Sequence, residues 1–320
     1  MLNRVLIGLH TDLPDQLSHL QSTLAIIAPL ILLISSIGGY WLTSSAIRPV
    51  QTITRTAQEI GETDLHRRLN LRRHDELGEL AATFDEMLRR LEQAFERLRQ
   101  FTADASYELR TPLTIVNTEV ERMLQREHSV QEYNQTLTIV QQENQRMTCL
   151  VSDLLTLAHA DTGQVRLKCE QVDLSEIIVD VVERLAFQLE QNGIEVRLSG
   201  LDEIQVCGDR LYLAQLCTNL LDNAIKYGTG IDKHIDVELD RQREQARIRF
   251  IDQGPGIATE HLPHLFERFY RVDQARTHNQ SSGSGLGLAI AQWIAQAHGG
   301  SIRVQSQPGR GSLFEVSLPL

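Results

Sequence analysis

The sequence predicts a membrane-anchored, multidomain chain with one transmembrane helix, an all-α coiled-coil linker and helical hairpin, and then an α/β sandwich. Three observations carry that reading. From Gln16 to Ile47 there is no Asp, Glu, Lys or Arg. Between Leu77 and Ala158 apolar residues recur at helical spacing, and from Gly163 onward the pattern becomes short alternating strands and helices. The composition agrees: 320 residues, 42% hydrophobic and 5% aromatic, suit two or three modest cores better than one large one. A formal net charge of -11 excludes a general electrostatic grip on nucleic acid, so any phosphate must be held locally.

The first element is the uncharged stretch, read as a transmembrane helix over 16–47. Its centre, Leu24 to Leu42, would rise about 28 Å as a helix, close to the hydrocarbon thickness of a bilayer. It is too long and too far from Met1 for a cleaved signal peptide. Tyr40 and Trp41 suit the interface, and Arg48, Arg55 and Arg67 follow the span while only Arg4 precedes it, which places the C-terminal side in the cytoplasm. Residues 1–15 are then a short extracytoplasmic segment, too small to fold alone, and no sensory domain is expected.

A linker over 48–99 follows. Val50, Ile53, Ala57 and Ile60 predict an amphipathic helix entered through Pro49 and ended by Gly61. Leu77, Leu80, Phe84, Met87, Leu91, Ala94, Leu98, Phe101 and Ala105 form a heptad seam. Over 100–162 two further helices are predicted. One carries Leu109, Leu113, Val116, Val120 and Leu124, and the other Leu137, Val140, Met147, Val151, Leu154 and Ala158, with a polar turn around Glu127–Glu132. A hairpin cannot bury such stripes by itself, and pairing two hairpins into a four-helix bundle would.

Residues 163–320 read as the sandwich. Asp173-Leu-Ser-Glu176 resembles a capping box opening a helix that stops at Asn192-Gly193. Strands are predicted at Ile194–Leu198, Ile204–Cys207, His234–Asp240, Arg247–Asp252, Ser301–Ser306 and Leu313–Leu318. Helices are predicted at Arg210–Lys226 and up to Ala297, with a long mobile insert between Gly254 and Gly287. Cys149, Cys169, Cys207 and Cys217 show no paired short spacing, which predicts reduced, mostly buried thiols rather than a zinc site or disulfide scaffold.

Four groups have the chemistry of a nucleotide site. Asn219, Asn223 and Lys226, followed by Tyr227, share one helical face, with amide oxygens for Mg²⁺ and an ammonium for phosphate. Asp252-Gln-Gly254-Pro-Gly256 offers a carboxylate for a base amino group beside glycines that let backbone approach. Phe266-Glu-Arg268-Phe269-Tyr-Arg271 supplies aromatic anchors and two guanidiniums. Gly283-Ser-Gly285-Leu286-Gly287 precedes a helix, where free amides and the helix dipole suit a polyphosphate.

In this order the four groups resemble the nucleotide-binding boxes of sensor histidine kinases, which share an ATP-binding fold with gyrase, Hsp90 and MutL. Phe101-Thr-Ala-Asp-Ala-Ser-Tyr107-Glu108-Leu-Arg-Thr111-Pro112-Leu-Thr resembles the family's phosphoacceptor box, and the stretch from Arg48-Pro49 to about Leu98 resembles its HAMP linker. The resemblance implies a homodimeric receptor of the bacterial inner membrane, using ATP and Mg²⁺ and passing a phosphoryl group to an aspartate of a cytoplasmic response regulator. It also implies residue roles. Asn223 and Asn219 would ligate Mg²⁺, Lys226 and Arg268 would contact phosphates, Asp252 would read the adenine amino group with Tyr227 nearby, and Gly283, Gly285 and Gly287 would cradle the phosphates. Gln253 stands where Asn or Asp is commoner.

Tyr107 stands where the family has its phosphoacceptor histidine, and none of the eleven histidines falls in that box. Neutral imidazole is a good nucleophile near pH 7, and phosphoimidazole is energetic enough to charge a carboxylate. A phenol, with an ordinary pKa of about 10, stays protonated and forms an ester too stable to donate readily. The expectation is therefore binding of Mg-ATP with phosphotransfer blocked. Glu108, placed as general base, and Thr111, placed in the family to position water for dephosphorylation, are both present, so a phosphatase or binding role is the alternative. Pro112 is expected as a bend beside the acceptor position.

Overall fold

The computed structural model describes residues 20–44, 51, 54, 66, 68, 69, 75–162, 165, 167–200, 203–228, 233–272 and 283–320. They fall into two compact units, Met1–Gln100 and Phe101–Leu320. The expected helix from Val50 to Ile60 lies outside the described residues apart from Gln51 and Thr54, and residues 273–282 of the expected insert also lie outside them.

In the first unit, helix α1 (Leu20–Ser44) has 25 residues and a mean hydropathy of 2.0, long and apolar enough to cross a membrane. Its side chains are exposed almost throughout. Helix α2 runs over Glu76–Leu124, 49 residues, so the expected seam helix and first hairpin helix are one continuous element. No glycine or proline interrupts the sequence between Gly78 and Pro112, and apolar spacing carries through Phe101, which is why no break forms at the junction. Pro112 lies inside the helix and withholds the amide that would bond back toward Glu108. Within the first unit Ala81 and Leu88 are buried, whereas Leu80, Met87, Leu91 and Leu98 on the expected seam stay exposed. The Asp85 carboxylate accepts from the Leu69 amide at 2.7 Å, and Arg68 pairs with Glu92.

In the second unit, α3 (Val130–Asp161) returns along α2. Its start is a reciprocal box: Ser129 Oγ accepts from the Glu132 amide while the Glu132 carboxylate accepts from the Ser129 amide. That arrangement holds the Glu132 carboxyl down at about 2, with the Ser129 backbone bond the largest cause. Buried Thr136 accepts from Arg122 and locks the hairpin. Leu113, Val120, Leu124, Leu137, Val151 and Leu155 remain exposed, so the hairpin keeps an apolar stripe on its surface.

The sandwich begins with β1 (Glu170–Asp173), a strand the sequence reading does not contain. It pairs antiparallel with β3 (Gln205–Gly208). The five-stranded sheet has the order β2 (Glu195–Ser199), β4 (His234–Gln242), β5 (Gln245–Asp252), β7 (Ser312–Pro319) and β6 (Ser301–Ser306), with only β2–β4 parallel. Helices α4 (Leu174–Asn192), α5 (Arg210–Tyr227) and α6 (Gly287–Ala297) cover one face, enclosing a core that includes Leu174, Ile177, Leu216, Leu220, Phe250, Ile290, Ile294 and Phe314. Helix α4 ends at Gly193, whose φ of +63° suits a residue without Cβ.

Two expectations are corrected here. At Asp173 the carboxylate accepts from the Ser175 amide and hydroxyl, while Glu176 reaches across to Arg210, so the capping box is a simple cap. The cysteines are not all reduced and buried. Because β1 pairs with β3, Cys169 and Cys207 come to a Cα separation of 5.4 Å and form a disulfide, both exposed, while Cys149 is free and exposed and only Cys217 is buried. The pairing was not readable because Cys169 lies just before an unforeseen strand.

Phe250 sits on the central strand at 2% exposure. Phe250→Ala is expected to destabilise the sandwich by about 3–5 kcal/mol, measured by chemical denaturation, because the surrounding helices and sheet can collapse only partly into the space.

Candidate functional site

Helix α5 is oriented by its core face. Leu213, Leu216, Cys217, Leu220, Leu221, Ala224 and Ile225 are buried, which leaves Asn219, Asp222, Asn223 and Lys226 on the half-buried rim of that face. Its N-terminus is capped by Asp209, whose carboxylate accepts from the Leu211 amide at 3.1 Å. Burial pushes the Cys217 thiol up to about 12, an inert core group.

The glycine loop meets this rim. A Cβ at Gly283 would stand 3.7 Å from Lys226 Nζ and 4.0 Å from the Tyr227 hydroxyl, and one at Gly287 would stand 3.7 Å from Asn219 Cγ. Asn219 Nδ2 donates to the Gly287 carbonyl at 3.1 Å, so its Oδ1 is turned away from that bond and is available as a hard oxygen ligand. Gly285 has φ +72°, and a Cβ there would lie 2.8 Å from the Phe269 backbone. Its carbonyl accepts from the Phe269 amide at 3.0 Å, so the segment Phe266–Arg271 and the glycine loop are joined. Leu286 is fully buried and anchors the loop ahead of α6.

Asp252 ends β5 at 5% exposure. Its Oδ1 accepts from the Gly254 amide at 2.9 Å and the Ser312 amide at 3.3 Å, leaving Oδ2 for an outside donor. Burial raises its carboxyl above the ordinary range, against the two amides, which lower it. Gly254 and Gly256 are required sterically, since a Cβ would meet the Tyr227 carbonyl at 2.4 Å or the Gln307 carbonyl at 1.9 Å. Asn219, Lys226, Tyr227, Gly283 and Gly287 are therefore brought together, and Asp252 stands directly beside the end of α5, its Cβ 2.7 Å from a Cβ placed on Gly228.

The aromatic segment points elsewhere. Phe266 packs on the core. Arg268 makes a bidentate pair with Asp161 at the end of α3, at 2.6 and 2.8 Å, and lies 5.5 Å over the Phe101 ring, which is 6.1 Å from Phe269. An ion pair this exposed is worth about 1 kcal/mol or less. Arg271 is half-buried. Lys226 pairs with Asp222, one turn earlier.

The hairpin also reaches the site through Asp153 on α3. Its carboxyl is pushed up to about 6, chiefly by burial, with Asp222 raising it and Lys226 opposing. Asp153, Asp161 and Phe101 were missed by sequence reasoning, because each looks like an ordinary helix residue until α3 packs on α6 and the Arg268 segment meets the hairpin. Tyr107 is 68% exposed on α2, Glu108 is half-buried, and Thr111 Oγ1 donates to the Tyr107 carbonyl at 3.5 Å.

Three family models match the chain. They are a HAMP domain over residues 41–93, a His Kinase A (phospho-acceptor) domain over 97–163, and a histidine kinase-, DNA gyrase B- and HSP90-like ATPase over 208–320. The sensor histidine kinase CusS of Escherichia coli K12 is 35% identical over 309 residues, covering 96% of this chain and 62% of CusS. Sensor protein CutS of Streptomyces coelicolor is 37% identical over 284 residues, covering 88% of this chain and 67% of CutS. The chain thus spans roughly three fifths to two thirds of the length of these relatives. The solved structure of histidine kinase AdeS from Acinetobacter baumannii superposes with a TM-score of 0.54 at 26% identity, over 67% of this chain and 97% of AdeS.

Raised as it is, the Asp153 carboxyl binds a proton more readily folded than unfolded, so stability falls as pH rises from about 4 through about 6. Asp153→Asn is expected to flatten that slope and to stabilise the protein at pH 7.5 by about 1 kcal/mol, read from thermal unfolding at pH 4.5 and 7.5.

Proposed function

The chain belongs to the sensor histidine kinase family, and from that premise we propose a transmembrane kinase that binds Mg-ATP but is blocked at the acceptor position by Tyr107. The observation that carries the nucleotide half is the convergence of Gly283 on Lys226 and Tyr227 beside Gly287 and Asn219. The acceptor half rests on Tyr107 standing exposed with Glu108 next to it.

In this reading Asp252 Oδ2 accepts the adenine amino group, with Tyr227 nearby. Lys226 and Arg268 meet the phosphates once Asp222 and Asp161 release them. Gly283, Gly285 and Gly287 supply amides ahead of α6. Mg²⁺ would be held by Asn223 and Asn219 together with the phosphates, and would neutralise polyphosphate charge. The donors fit that ion: they are amide oxygens, and among the described residues no group of three His, Cys, Asp or Glu competes for a metal. Glu108 would take the proton of a nucleophile at 107. An imidazole there would attack the γ-phosphorus as ADP departs, whereas a phenol is the poorer nucleophile and its phosphate ester is too stable to donate readily.

The apolar stripe left exposed on the hairpin supports a homodimer built as a four-helix bundle. Membrane insertion of α1, cytoplasmic placement of the C-terminal domains at a bacterial inner membrane, and a response-regulator partner belong to the same proposal. Domain limits are proposed at 16–47, 48–99, 100–162 and 163–320. A second reading, a pseudokinase that binds or dephosphorylates a response regulator, is favoured by Thr111, exposed one turn beyond Tyr107.

With γ-labelled ATP and the full chain in detergent micelles, the protein is expected to stay unlabelled and Tyr107→His to acquire an acid-labile, alkali-stable label. Label on neither would overturn the kinase reading and leave the phosphatase or binding role. Asp252→Asn is expected to weaken Mg-ATP binding by about tenfold or more in calorimetry, since it turns a buried acceptor toward the adenine as a mixed donor and acceptor.

A further inference from the structure

Outside the nucleotide site, one cluster of reactive groups gathers where the chain enters the sandwich. Cys169 precedes β1 and Cys207 lies on β3, and the disulfide between them closes a separation of 38 residues that holds α4 and β2. Their Cα separation of 5.4 Å lies within the range a disulfide needs. Both residues are exposed, unlike Cys217, and so are within reach of a small disulfide in solution.

The same corner is held by a second, non-covalent tie. The Asp209 carboxylate accepts from the Lys168 amide at 3.0 Å through one oxygen and caps α5 through the other, while the Asp209 amide donates to His298 Nε2 at 3.0 Å. Lys168, just before Cys169, and Asp209, two positions after Cys207, therefore meet at the N-terminus of the helix that carries Asn219, Asn223 and Lys226. The strand pair β1–β3 is only four residues long and stands apart from the main sheet, and a two-stranded ribbon of that size is marginal without a further constraint.

The geometry points to Cys169 and Cys207 as a thiol–disulfide exchange site that clasps β1 to β3 when a glutathione-type disulfide becomes abundant. One cysteine thiolate attacks a sulfur of the glutathione disulfide, forms a mixed disulfide and expels one glutathione thiolate. The second cysteine thiolate attacks the protein sulfur of that mixed bond, closes the Cys169–Cys207 bond and expels the second. Both protein protons end on the two released glutathiones, so the protein dithiol is oxidised by two electrons and one glutathione disulfide is reduced. The direction of control rests on the proposed cytoplasmic placement, where thiols are open at rest and close under oxidation. It does not depend on any phosphoryl transfer.

The test uses the full chain in detergent micelles with Cys149→Ser, which removes the other exposed thiol, equilibrated across mixtures of reduced and oxidised glutathione. Expected on the oxidising side are a mass loss of two hydrogens, loss of both maleimide-reactive thiols, a melting temperature higher by about 5 °C, and slowed amide exchange over 168–173. Reduced glutathione should reverse all four, and Cys169→Ser or Cys207→Ser alone should abolish them. Thiols that stay open in fully oxidised glutathione would overturn the proposal, as would a bond that reduced glutathione cannot reopen or a stable adduct of one glutathione per cysteine. Mg-ATP binding by the Cys169→Ser variant is measured alongside, so failure of the clasp is read separately from failure of the nucleotide site.

Discussion

The burial of one face of α5 is the constraint from which the proposed nucleotide site follows. Leu216, Leu220 and Leu221 are completely enclosed against the sheet and α6, which fixes the rotation of the helix about its axis. With seven apolar residues committed to the core, Asn219, Asn223 and Lys226 have only the rim to occupy. That rim is where Gly283–Gly287 arrives, because Leu286 is drawn into the same core and α6 starts immediately after it. Apolar packing thus sets the positions of groups that take no part in it.

Asp252 shows the complementary case of a polar group used as a joint. Its carboxylate ties the end of β5 to the first residue of β7 and to the turn at Gly254, so the strand register and the turn hold one oxygen and present the other. The neighbouring glycines are there because carbonyls of Tyr227 and Gln307 fill the space that a Cβ would need. A carboxylate this enclosed resists ionisation, and the two amides offset part of that cost.

The helical hairpin touches the sandwich through charged groups as much as apolar ones. Asp161 holds Arg268, Phe101 lies beneath the same guanidinium, and Asp153 is desolvated near Asp222 and Lys226. Both cations read as phosphate contacts are therefore engaged with carboxylates. These pairings are weak where solvent reaches them, which suits the exchange of partners proposed for both groups. Leu150 and Leu157 of α3 are buried in the sandwich core on either side of Asp153.

What the sequence by itself determined is whatever depends on short-range pattern. The apolar length of α1, the helical stripes of α2 and α3, the limits of α5, the antiparallel pair β4–β5, and the order of the Asn219, Asp252, Phe266 and Gly283 groups all follow from periodicity, turn residues and spacing. That residue 107 is a tyrosine was equally plain, because identity at one position needs no fold to be seen. Tertiary structure alone decided the rest. The strand at Glu170–Asp173 and the Cys169–Cys207 pairing depend on partners far away in the chain. So do the attachment of Arg268 to Asp161 and the raised carboxyl of Asp153. A four-residue strand has too little pattern to announce itself, and a salt bridge across 107 residues leaves no periodic trace. Each exists only because the core brings the segments together.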